Sequence, residues 1–224
     1  MASARETREW RVAVGEEQTS AIYQPATTDP KAVFVCAHGA GGHKADRGME
    51  RLATVLCGSG FDVVRFNFLY SEAGSRRPDP MPRLTRCFEA VVTHARAELG
   101  KKTFIIGGRS MGGRAASMMA AEGFGCDGLL LLAYPLHPPG KPEQLRVAHL
   151  PKIRVPVLCI NGTRDAFCTK ELMDRALESV SAPWTMHWLE GADHSFRVLK
   201  SSGRTDADVY AEIGAESARW LISV

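Results

Sequence analysis

Three side chains able to pass a proton among themselves stand just past strand-like runs. Ser110 lies in Gly108-Arg109-Ser110-Met111-Gly112, a G-x-S-x-G pattern between the apolar run TFIIGG and a helix-forming segment. Asp165 ends Asn161-Gly162-Thr163-Arg164-Asp165 after VPVLCIN, and His194 ends Gly191-Ala192-Asp193-His194 after PWTMHWLE. A serine hydroxyl is a weak nucleophile at neutral pH until a base takes its proton, and imidazole titrates in the right range to do so. A carboxylate on the far ring nitrogen fixes the tautomer and stabilises the charged ring. These residue types predict Ser110 as nucleophile, His194 as base and Asp165 as orienting acid. The chain order Ser, Asp, His is the one used where the serine sits on a sharp strand-to-helix turn.

Attack on a carbonyl creates an oxyanion, which needs donors already in place. The backbone N–H of Met111, at the start of the following helix, is one candidate. The glycine-rich turn His38-Gly39-Ala40-Gly41-Gly42 after KAVFVCA offers Ala40 first and Gly41 next. Each such donor is typically worth about 3 kcal/mol in the barrier. His38 is expected to shape that turn by hydrogen bonding, and His137 to line the site from a proline-rich connection. Arg109 and Arg164 flank two of the three reactive residues. With Arg76 and Arg77 they are candidates for pairing with an anionic acyl substrate. The competing assignment pairs these arginines with the loop acids Glu72 and Asp79.

Each choice has rivals. Ser110 could be an ordinary helix N-cap. Asp174 falls inside a helical segment, away from any strand end, and His187 falls inside a strand, where packing is its expected role. Asp193 reads as a turn residue bonded to its own loop. The glycines around Ser110 and the strand-end placement of its partners favour the reactive set.

The elements that must carry these residues follow from hydrophobic spacing. WRVAV and TSAIYQP read as a hairpin about Gly15-Glu16-Glu17. KAVFVCA, FDVVRFNF, TFIIGG, GLLLLAY, VPVLCIN and PWTMHWLE read as strands, several of them continuous apolar runs buried on both faces. Met49, Leu52, Ala53, Leu56 and Cys57 lie on one stripe of a helix beginning near Asp46. Leu84, Phe88, Val91, Ala95 and Leu99 mark a second helix, and the segment with Ala115, Ala116, Met118 and Met119 a third. Met173, Ala176, Leu177 and Val180 mark a fourth, and the tail from about Asp206 a fifth. YSEAGSRRPDPMP reads as a loop, and residues 68–82 and 135–152 as the longest candidates for the rim of a site. Strand–helix alternation predicts an α/β fold, a mostly parallel twisted sheet with helices on both faces and no cap domain. All 224 residues are expected to form one domain.

Composition narrows the function further. The chain is 45% hydrophobic and 24% charged, with a net charge of +3. Its basic residues are scattered, apart from short pairs such as Arg76-Arg77 and Lys101-Lys102, so a nucleic-acid partner is not expected. No apolar run is long enough for a membrane span, and the start MASARETREW has no apolar export core. The six cysteines form no C-x-x-C pair, so neither a metal site nor a redox site is expected. Free thiols in strand runs point to a reducing, cytoplasmic setting.

HGAGG, GGRSMGGR, NGTRD and GADHSF together resemble the α/β-hydrolase superfamily. With YPLHPPGKPEQLRVAHL, the chain is similar to the small dienelactone-hydrolase-like subgroup that includes testis-expressed protein 30, over about residues 10–222. Dienelactone hydrolases use a cysteine nucleophile where this chain has Ser110. The resemblance implies a cofactor-free serine hydrolase acting on a small ester or related acyl substrate. Peptidase, amide and thioester hydrolysis would use the same residues. The subgroup also resembles a domain of a chromatin-complex subunit, which makes a non-catalytic interaction module the alternative of a different class.

Overall fold

Six consecutive apolar residues, Ala32–Ala37, form a strand buried on both faces, and around this strand the chain reverses direction across the sheet. The computed structural model describes residues 6–100 and 102–224; the first five residues of the polar start, and Lys101, lie outside the described residues. In chain order the elements are β1 (Arg8–Val14), β2 (Glu17–Gln24), β3 (Ala32–Ala37), α1 (Arg47–Gly58), β4 (Phe61–Phe66), α2 (Leu69–Glu72), α3 (Met81–Leu99), β5 (Phe104–Arg109), α4 (Met111–Ala121), β6 (Gly128–Leu132), β7 (Val157–Gly162), α5 (Lys170–Leu177), β8 (Trp184–Leu189) and α6 (Asp206–Leu221).

The eight strands form one sheet in the order β1-β2-β4-β3-β5-β6-β7-β8. The β1–β2 hairpin is antiparallel and joins β4 antiparallel, while all pairings from β4 to β8 are parallel. Alternation along β3 divides the core. Val33, Val35 and Ala37 face α3, α4 and α5, while Ala32, Phe34 and Cys36 face α1 and α6. This is the expected α/β-hydrolase architecture, and the apolar stripe Met49, Leu52, Ala53, Leu56 and Cys57 is the buried face of α1.

Three local readings need correction. The loop expected over YSEAGSRRPDPMP opens with the single turn α2, because the Asp79 carboxylate accepts the Tyr70 N–H and Ser71 donates to the Gly42 carbonyl. Val180 lies beyond α5, which ends at Leu177. Residues 135–152 end in a short 3-10 turn, Leu150–Lys152. The described cysteines are all free thiols, and burial pushes the Cys36 thiol up to about 12, so it stays protonated and inert. No helix among the described residues is long and apolar enough to cross a membrane.

Candidate active site

From β3 the chain runs through α1 to β4 on one side, then crosses through α2 and α3 to β5 on the other. Connections leaving neighbouring strands in opposite directions open a crevice at their carboxyl ends. The glycine turn after β3 and Ser110 after β5 border that crevice.

Ser110 has φ 52° and ψ −115°, a conformation that costs a non-glycine residue about 1–3 kcal/mol. Packing imposes it. The Ser110 N–H donates to the Leu132 carbonyl at 2.8 Å, and its own carbonyl accepts the first helical bond of α4, from Arg114 N–H, at 3.0 Å. Helix α4 can start this close to β3 only because residue 112 is glycine: a Cβ there would lie 2.5 Å from the Ala37 carbonyl oxygen. Gly112→Ala is therefore expected to destabilise the fold by about 3 kcal/mol, the upper range for overpacking. Urea unfolding measures this, and a loss under 1 kcal/mol would mean that α4 can retreat from β3.

The loops that carry Asp165 and His194 are stitched to each other. Arg164 N–H donates to the Ala192 carbonyl at 2.9 Å, Gly191 N–H to Thr163 Oγ1 at 2.8 Å, and Arg164 Nη1 to the Gly191 carbonyl at 3.1 Å. This zipper brings Asp165 Oδ2 to 2.8 Å from His194 Nδ1, and His194 Nε2 lies 2.9 Å from Ser110 Oγ. Asp165 is 3% exposed, and its other oxygen accepts the Phe167 N–H at 2.8 Å. The Phe167 ring packs on the imidazole with centroids 4.4 Å apart.

The glycine turn is held from beneath. Gly42 N–H bonds back to the Gly39 carbonyl, and Gly41, at φ 68°, supplies the left-handed third position that such a turn needs. His38 is fully buried, with Nδ1 2.8 Å from the Gly39 carbonyl and Nε2 accepting the Phe68 N–H at 3.2 Å. Both ring nitrogens thus have partners inside the protein and hold the turn from beneath, while the residue itself borders the crevice. The Gly41 N–H, the second candidate donor, is engaged with the Tyr70 hydroxyl at 3.2 Å. Among the described residues the N–H groups of Ala40 and Met111 have no acceptor, and both residues line the crevice.

A sequence pattern that defines an alpha/beta hydrolase domain matches residues 30–222. The chain belongs to that family. Solved structures agree on the fold. A serine hydrolase without a lid from Xanthomonas campestris is 19% identical, with a TM-score of 0.78, over 97% of this chain and 96% of that one. An alpha-beta serine hydrolase homologue from Coxiella burnetii is 18% identical, with a TM-score of 0.77, over 93% and 96%. Dienelactone hydrolase from Anabaena variabilis is 18% identical, with a TM-score of 0.72, over 98% and 99%.

In this alpha/beta hydrolase domain the crevice is a cavity of about 830 Å³. His137 lines it, 3% exposed, with Nδ1 2.8 Å from its own Pro138 carbonyl. Arg109 borders it, but its Nη2 donates to the His194 carbonyl at 3.0 Å, so part of this guanidinium braces the loop that carries His194. The suggested pairing of arginines 76, 77, 109 and 164 with Glu72 and Asp79 is not what forms: Arg11 takes Glu72 and Arg83 takes Asp79. Asp193 accepts from Ser195 and Arg197 N–H within its own loop, as a turn aspartate should.

Sequence reading missed Tyr70, Phe167, Arg114 and Arg146. Tyr70 and Phe167 follow the carboxyl ends of β4 and β7, the same signal that located Asp165. Arg114 stands four residues after Ser110, hence on the same face of α4. Arg114 and Arg146 line the cavity, and neither guanidinium has an acidic partner among the described residues.

His38 also sets a pH dependence. Burial, partly opposed by the Gly39 carbonyl, pulls its pKa from 6.5 to about 4. Between those values the unfolded chain binds a proton that the native state refuses, so stability falls as pH drops through this window. One group changes stability by about 1.4 kcal/mol per pH unit, or about 3 kcal/mol over the window. His149, lowered to about 4 by burial and by Arg114, adds a second proton. Denaturant unfolding from pH 7 to 4 is expected to show this slope, and His38→Asn to reduce it by about one proton; an unchanged slope would refute the assignment.

Proposed function

We propose that this alpha/beta hydrolase domain is a cofactor-free serine hydrolase that cleaves a carboxylic ester of a small substrate through an acyl-enzyme. The observation that carries the reading is the unbroken relay from Asp165 Oδ2 through both nitrogens of His194 to Ser110 Oγ, at 2.8 and 2.9 Å. With the carboxylate accepting Nδ1–H, Nε2 is left to accept the hydroxyl proton. Ser110 Oγ then bonds to the ester carbon while His194 takes the proton. The oxyanion receives the N–H groups of Ala40 and Met111. Collapse of the intermediate breaks the carbon–oxygen bond, and His194 returns the proton to the leaving alkoxide. Water attacks the acyl-enzyme by the same route and frees the acid.

A fluorophosphonate probe tests the reading. Labelling of the native chain that disappears in Ser110→Ala supports it, and a folded native chain that takes no label overturns it in favour of the interaction module.

The anionic-substrate expectation moves from Arg109 to Arg114 and Arg146. An unpaired guanidinium pair beside the nucleophile favours an acyl group ending in a carboxylate. Replacing both with Gln is expected to lower kcat/KM for a 4-nitrophenyl hemisuccinate about tenfold, roughly 1.4 kcal/mol, while sparing 4-nitrophenyl butyrate. Equal changes for the two esters would remove the idea.

A further inference from the structure

A second cavity, about 280 Å³, adjoins the catalytic one, and Arg109 lines both. Arg47 and Arg51 reach it from α1, Arg197 from the loop after β8, and Asp206 and Tyr210 from α6. Four guanidinium groups thus surround one carboxylate.

That carboxylate is already used. Asp206 Oδ2 lies 3.9 Å from Arg51 Nη1, and Oδ1 accepts the Val198 N–H at 3.4 Å. The nearby Asp46 carboxylate accepts the His43 N–H. Among the described residues the side chains of Arg47 and Arg197 have no hydrogen bond or ion pair, and Arg109 Nε is buried without an acceptor. The Tyr210 hydroxyl likewise has no partner among them. It lies within the field of Arg109, Arg51 and Arg197, guanidiniums from three separate elements. Gly48 borders the same wall: a Cβ built there would be in ordinary contact with the Tyr210 hydroxyl, at 3.4 Å, and with Arg109 Nη1, at 3.5 Å.

Like charges gathered in a concave site, with donors unspent, match an anion with several acceptor oxygens. Planar guanidinium forks pair two-to-two with phosphate oxygens, and the remaining volume exceeds what the ion alone would fill. We propose that this cavity binds a phosphoryl group, either free phosphate or a phosphate monoester. The site shares Arg109 with the neighbouring cavity but does not rest on the ester chemistry, because binding is read without turnover.

Isothermal titration at constant ionic strength tests the proposal, with inorganic phosphate and phenyl phosphate as probes and acetate and chloride as controls. Both phosphoryl probes are expected to bind at least tenfold more tightly than acetate, and the tighter of the two identifies the source. Arg47→Gln with Arg197→Gln, both exposed, should weaken binding at least tenfold with no change in Tm in phosphate-free buffer. Heats equal to those of chloride, or full affinity in the folded double variant, would overturn it.

Discussion

Ser110→Ala is expected to fold normally and to lose about 10⁶ in kcat toward any ester that the native chain hydrolyses, equivalent to about 8 kcal/mol of barrier. Among the described residues the side chain makes one hydrogen bond, to His194 Nε2, so its loss barely touches the fold. The strained backbone at residue 110 is imposed by Leu132, Arg114 and Gly112, none of which senses the hydroxyl. Under the proposed mechanism activity should not vanish, because the donors of Ala40 and Met111 would still meet the oxyanion and leave a residual 10³–10⁴ over water. Burst-phase release of nitrophenol should disappear with the acyl-enzyme. A variant retaining more than about 1% of native kcat would show that another group makes the attack.

Asp165→Asn is expected to cost about 10⁴ in kcat with little change in stability. The reason lies in the acid's second contact. Phe167 N–H donates to Oδ1, so an amide at 165 must place its oxygen there and turn its NH₂ toward His194. The imidazole can then only accept at Nδ1, which puts its hydrogen on Nε2, facing Ser110 Oγ. A base already protonated where it should accept cannot activate the hydroxyl. The deficit should shrink as pH rises, when hydroxide or serine ionisation supplies what the base does not. A tenfold loss or less would mean that the carboxylate does not set the tautomer.

The two substitutions act on different parts of the same relay, so their effects should not add. Ser110→Ala with Asp165→Asn is expected to be no slower than Ser110→Ala alone, since a base with no hydroxyl to deprotonate has no further activity to lose.

Much of this protein was legible in its residues. Continuous apolar runs marked β3, β5, β6 and β7 because a strand covered on both faces must be apolar on both. The 3.6-residue stripe of Met49, Leu52, Ala53, Leu56 and Cys57 marked α1 because burial repeats with the helical turn. Ser110, Asp165 and His194 stood out because each follows the end of a strand, where side chains of a parallel sheet are free to do chemistry. Tertiary structure alone decided which polar group meets which. Strand order places β4 and β5 on opposite sides of β3, so Tyr70 arrives beneath Gly41 and leaves Ala40 as the free donor. The same long-range packing buries His38, turns Arg109 toward the His194 carbonyl, and gathers Arg47, Arg51 and Arg197 from α1 and the loop after β8. Local spacing encodes burial, which each element carries by itself. Hydrogen-bond partners depend on register and on the path between strands, and those emerge only when distant elements pack together.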